Sequence, residues 1–256
     1  MADIERILVA GASGGTGSEI LDLLADADME VRALTHSPDK ERDLNAQGAD
    51  EVVVGDLLDQ GDAARAVADC DAVLCAVGTQ SARRMLVGDL VDGKGVENLV
   101  HAAVAADVER FVMESSLGVG DSREQLPTPF RLVIWRVLRA KNRAEAALRT
   151  SGLSHTILRP GGLTDAPPTG DVLVGEGGAT VSGSIPRADV ARLMVAAPFT
   201  SESENRTFEV VSRDGLRGRA RGLVELDWRT PTETSIAVEE SSGESPAESA
   251  GETAEE

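Results

Sequence analysis

The stretch Ile7-Leu8-Val9-Ala10-Gly11-Ala12-Ser13-Gly14-Gly15-Thr16-Gly17, followed by Ser18-Glu19-Ile20-Leu21-Asp22-Leu23-Leu24, decides the fold. An apolar run enters a glycine-rich turn, and the turn opens an amphipathic segment. Gly11 permits a tight bend, Gly14 lets backbone amides approach a bulky anion, and Gly17 lets a helix sit close to the strand. Ser13, Gly15 and Thr16 complete the turn, whose amides and helix dipole suit a phosphate. A dinucleotide diphosphate is the expected occupant, although a purely structural strand-to-helix turn would use the same glycines. The spacing Gly-x-x-Gly-x-x-Gly differs from the commoner Gly-x-Gly-x-x-Gly. Its place between a first strand and a helix gives it weight.

Working outward, strands are expected over 4–10, 30–34, 51–54, 72–77, 110–114, 154–158 and 207–211. Helices are expected over 13–27, 39–47, 62–67, 92–106 and 132–150, with another ending at 196. In the 92–106 segment Val96, Leu99, Val100, Ala103 and Val104 share one face. Short apolar strands alternating with helices predict a doubly wound α/β fold, a parallel sheet covered on both faces. One domain is expected over 1–231, with substrate loops around 161–185, the Pro- and Gly-rich part of 164–178 forming a small hairpin. Residues 232–256 carry eight Glu and no Lys or Arg, which reads as a disordered acidic tail.

There are 44 acidic residues against 25 basic ones, a formal charge of −19, and the only lysines are Lys40, Lys94 and Lys141. Such a surface disfavours nucleic acid as a partner. The acid-rich, lysine-poor balance resembles that of proteins from salt-loving organisms. No run approaches the roughly 20 apolar residues of a membrane span, so no membrane association is expected. No signal peptide is visible, and a cytoplasmic location is the default expectation. Cys70 and Cys75 read as small buried residues, not as a disulfide or metal pair, and no metal site is expected.

The segment Leu34-Thr35-His36-Ser37-Pro38-Asp39-Lys40 follows the second strand with no carboxylate at the strand end. A carboxylate there would select NAD. Thr35, His36, Ser37 and Lys40 suit a 2′-phosphate instead, so NADP is expected, with NAD as the alternative. Asp56 either takes the adenine amino group or caps the following turn, and Leu57 lies beside it. Ala76, Val77 and Gly78 follow the fourth strand and should pass near the diphosphate and nicotinamide ribose. Ser115 and Ser116 end the fifth strand, where they either bond a substrate carbonyl or carboxamide or cap the backbone. His155 reads as a packed strand residue, and Arg159-Pro160-Gly161-Gly162 as a break that shapes the site wall. Arg187 and Asp189 read as residues that open and cap a helix.

Taken together these pieces resemble the atypical short-chain dehydrogenase/reductase superfamily, in its NmrA-like, NAD(P)-binding Rossmann branch. The match rests on 11–17, Gly55-Asp56-Leu57, Ser115-Ser116, Lys141 with Ala144-Glu145, Ser151-Gly152-Leu153 with Thr156-Ile157-Leu158-Arg159-Pro160-Gly161, and Arg187-Ala188-Asp189-Val190-Ala191. The resemblance implies a catalytic Tyr four residues before a ribose-binding Lys. Lys141 matches, but Val137 stands at the Tyr position and the chain contains no tyrosine. The reading is therefore an NAD(P)-dependent oxidoreductase passing hydride to a small carbonyl, flavin or quinone-like acceptor. Lys141, Ser115 and Ser116 are its catalytic candidates, and Lys141 and Pro160 join the cofactor contacts. A non-catalytic NAD(P)-binding redox sensor and a nucleotide-sugar epimerase or dehydratase are the alternatives. The partner is a small-molecule substrate, and a homodimer is compatible with the reading.

Overall fold

A computed structural model describes residues 4–79, 88–125 and 133–231. The chain alternates as expected through β1 (Arg6–Ala10), α1 (Gly15–Leu24), β2 (Glu30–Thr35), α2 (Glu41–Ala46), β3 (Glu51–Val54), α3 (Gln60–Val67) and β4 (Ala72–Cys75). It continues through α4 (Val96–Ala105), β5 (Arg110–Glu114), α5 (Trp135–Thr150) and β6 (His155–Pro160). Two short strands, β7 (Gly162–Thr164) and β9 (Ser184–Pro186), flank β8 (Val172–Glu176). Then come α6 (Arg187–Ala196) and β10 (Arg206–Ser212).

Eight strands form one sheet in the order β3-β2-β1-β4-β5-β6-β10-β8, while β7 and β9 pair separately. The pairings from β3 through β10 are parallel. The chain reverses direction in space between β1 and β4, since β2 and β3 lie to one side and the later strands to the other. A cleft opens at such a switch point, outside the carboxyl ends of the strands. The alternating side chains feed two apolar layers. Ile7 and Val9 pack with Ile20, Leu21 and Leu24 of α1 on one face. Leu8 and Ala10 pack with Ala63, Leu99 and Val100 of α3 and α4 on the other.

Four local readings are corrected. β8 falls within the segment read as a loop with a small hairpin, yet it joins the main sheet antiparallel to β10, with Val210 opposite Val174. β6 does not break at Arg159 but runs through Pro160, which pairs with Val210. Pro160 is the last residue of the strand, and its carbonyl oxygen continues the ladder by accepting from the Leu117 amide at 2.9 Å. The helix predicted from 92 begins as one wide π-helical turn, Val91–Gly95, before regular α4. Val104 is 41% exposed and lies outside the packed face of α4. Both cysteines are free and buried, and burial pushes the Cys75 thiol up to about 12. No helix among the described residues is long and apolar enough to cross a membrane. The acidic segment 232–256 and the start of the 132–150 helix lie outside the described residues.

Candidate nucleotide-binding site

The turn between β1 and α1 is built around steric necessity. Gly11 has φ +84°, and a Cβ there would stand 2.8 Å from the Ala76 carbonyl oxygen. The first turn thus presses on the turn after β4, and only glycine satisfies both constraints. A Cβ at Gly17 would fall on the Gly11 carbonyl oxygen. The Gly14 amide donates to that same oxygen at 2.9 Å and closes the bend. Gly14 then caps α1 in an extended conformation with no side-chain bond, and the first turn of α1 holds no acidic residue. The amides of Gly15, Thr16 and Gly17 consequently lack intrahelical acceptors.

A cavity of about 380 Å³ lies before this turn. Gly11, Ser13 and Gly14 form its floor, and Ala76, Val77 and Gly78 approach from β4. Thr35, His36, Ser37 and Lys40 line the end beyond β2, with Asp56 and Leu57 beside them. The Ser13 and Thr35 hydroxyls meet at 2.9 Å and tie the two turns together. The Ser37 amide donates to Thr35 Oγ1 at 3.2 Å. His36 and Lys40 are exposed at the rim. Lys40 Nζ stands 3.2 Å from Asp43. Asp56 accepts from the Leu58 amide at 3.0 Å, a turn-capping bond.

The remaining predicted residues do not line this cavity. Gly15, Thr16 and Gly17 sit behind its floor, and Thr16 Oγ1 donates to buried Glu114 at 3.2 Å. Lys141 is buried, with Nζ donating to the Glu114 carbonyl oxygen at 3.0 Å. Lys141 Nζ also faces Asp92 Oδ1 at 3.6 Å. Asp92 Oδ2 in turn accepts from the Thr79 amide at 2.9 Å and from its hydroxyl at 2.5 Å. Lys141 therefore braces the β4 turn from behind. Ser115 is buried and donates to Glu145 at 2.5 Å. Ser116 Oγ donates to the Leu117 carbonyl oxygen at 3.0 Å. Pro160 lies within β6. His155 Nδ1 is bonded to the Leu153 carbonyl oxygen at 2.9 Å, and Arg159 is ion-paired with Glu145 at 2.7 Å and with Asp121.

Sequence reasoning missed Asp92 and Glu114, and met Glu145 only as part of the family resemblance, with no role. Glu114 is a carboxylate closing the apolar run Phe111-Val112-Met113, the one signal available; Asp92 and Glu145 lie beside small and polar residues that give none. Burial pushes the Glu114 carboxyl up, with Lys141 opposing the shift. Asp92 Oδ1 is buried without a hydrogen-bond partner, close to Gly78 on the cavity wall.

An open doubly wound sheet, with a glycine-cradled helix N-terminus facing a cleft at its switch point, defines a dinucleotide-binding protein. The chain belongs to the NAD(P)H-binding family, which matches residues 11–200. It is 33% identical to an uncharacterised chloroplastic protein of Arabidopsis thaliana, covering 82% of this chain and 77% of the relative. It is 30% identical to an uncharacterised sugar epimerase of Bacillus subtilis, covering 82% and 95%. A putative NAD-dependent epimerase/dehydratase from Bacillus halodurans has a similar structure, with TM-score 0.70, 29% identity and coverage of 91% and 99%. The anaerobilin reductase ChuY of Escherichia coli O157:H7 gives TM-score 0.73 at 26% identity, covering 83% and 100%. The expected cytoplasmic location is overturned, because chloroplastic plant proteins stand among the relatives.

Proposed function

We propose that this chain is an NADPH-dependent reductase acting on a small carbonyl, flavin or quinone-like acceptor. The observation that carries the reading is the cavity end beyond β2, where Thr35, His36, Ser37 and Lys40 gather and no acidic residue of that segment lines the wall. A 2′-phosphate meets hydroxyl, imidazole and ammonium groups there, and the neighbouring Asp56 carboxylate is turned to its own loop, accepting from the Leu58 amide. At the cavity floor, Gly11, Ser13 and Gly14 leave room for a diphosphate, with the N-terminus of α1 directly behind them. Bound NADPH supplies the hydride. Apolar Leu57 lies beside Asp56 at the adenine end and Val77 beside the diphosphate and nicotinamide ribose, while Lys141, through Asp92, keeps the Thr79 turn in place. Residues 161–185 carry the acceptor contacts in this reading, and residues 1–231 act as one domain. The chain has no tyrosine to donate a proton, so the acceptor takes its proton from water, and positioning supplies the rate.

A second reading, a sensor that binds NADPH without turnover, is favoured by the internal bonds that occupy Lys141 and Ser115. Calorimetry with NADPH and NADH, followed by an acceptor screen for loss of reduced-nicotinamide absorbance, separates the two. Tight NADPH binding with acceptor-dependent consumption is expected. Binding without consumption across the screen selects the sensor. Lys40→Ala should weaken NADPH about tenfold and leave NADH unchanged. Equal weakening of both nucleotides would remove the phosphate site from the proposal.

A further inference from the structure

Arg187 opens α6, yet its side chain belongs spatially to the first turn of the fold. A Cβ at Gly15 would stand 2.5 Å from Arg187 Nε and 2.6 Å from its Cδ. Gly15 begins α1 and follows Gly14, which lines the cavity. Unlike Gly11, it needs no left-handed backbone. What requires glycine at position 15 is the room that Arg187 occupies.

That placement is electrostatically uphill. A cation at the N-terminus of a helix opposes the helix dipole. Here it joins three amides without intrahelical acceptors in a turn with no acidic residue. The nearest compensation is Asp165, 3.3 Å from Arg187 Nη1. Asp165 is 91% exposed, and an ion pair so open to water holds a side chain only weakly. Glu114, the other carboxyl that attracts Arg187, is buried, and burial favours its neutral form. In a chain of net charge −19, a guanidinium thus stands against the glycine that follows the cavity floor.

We infer that Arg187 grips the cofactor's diphosphate across the first turn of α1, and that Gly15 is glycine in order to admit it. This rests on the dinucleotide reading of the site and adds a clamp from a distant part of the chain. A guanidinium presents paired donors to phosphate oxygens. The incoming diphosphate replaces the weak Asp165 contact.

The test is calorimetric titration of the full chain with NADPH and, separately, with adenosine 2′-monophosphate, which has no diphosphate. Arg187→Ala should lose roughly tenfold or more in NADPH affinity and leave the monophosphate within about twofold. Gly15→Ala should displace the guanidinium and weaken NADPH in the same direction. The double variant should be no worse than Arg187→Ala alone, because the added methyl then has nothing to displace. If Arg187→Ala lowers the melting temperature, Gly15→Ala carries the test, since alanine favours the helix. Wild-type NADPH affinity in either single variant overturns the inference, as does equal loss of both ligands. Failure of the wild-type chain to bind NADPH overturns the reading of the site as well.

Discussion

Glu145 has no exposed surface, and three side chains depend on it. Ser115 donates to one of its oxygens, Arg159 bonds both, and Arg149 reaches the second at 2.8 Å. A buried charge cluster adds little net stability when complete, but removing one member strands the others. Glu145→Ala is expected to cost about 3–5 kcal/mol in urea unfolding, and an effect under about 1 kcal/mol would show the site to be wet. The same cluster explains what was legible at this scale. Ser115 and Lys141 are polar residues at informative positions, and sequence singled them out. Their partners, Glu145 and Asp92, lie far along the chain, and no local pattern links them. The polar character was readable, the direction of each side chain was not.

At the scale of elements, the first three strand-helix units were readable because each apolar run stops at a polar or glycine turn. β8 was not, since Val172-Leu173-Val174-Gly175-Glu176 sits amid glycines and its partner strand comes much later. Its strand character depends on pairing, a non-local property. α3 shows the opposite case, a helix whose start is fixed locally. Asp59 accepts from the Gly61 and Asp62 amides at 2.8 and 3.0 Å. Asp59→Ala should cost about 1 kcal/mol, read as a shift in the urea midpoint with unchanged slope. A change in slope would mean that α3 frays separately from the sheet.

The whole molecule carries its charge as a stability problem. At a formal −19, self-repulsion weakens as salt shortens the screening length, to about 3 Å at 1 M. The melting temperature should therefore rise between low and molar sodium chloride, and a fall would place the dominant electrostatics in attractive pairs. Glu114 makes a separate prediction with pH. Burial raises its carboxyl above the ordinary value of 4.5, against the pull of Lys141. The folded state thus favours the protonated form. Stability from this group is complete below the unfolded value and declines as pH rises toward the folded one. Glu114→Gln should match the wild type in acid and become relatively more stable as pH rises past the ordinary carboxylate range. A constant difference between the two proteins across that range would show that Glu114 is not the group responsible.

Only three lysines occur, and they are placed unequally: Lys141 is buried, Lys94 is half-buried, and Lys40 stands exposed at the cavity rim. An amine-selective reagent meets an almost empty surface, and among lysine side chains its most open target is Lys40. Under the proposed NADPH reading, bound nucleotide should shield that amine from acylation, and acylation, which removes its charge, should in turn weaken NADPH. The scarcity of one residue type thus makes this acidic chain a natural substrate for site-directed labelling, with no cysteine needing to be introduced.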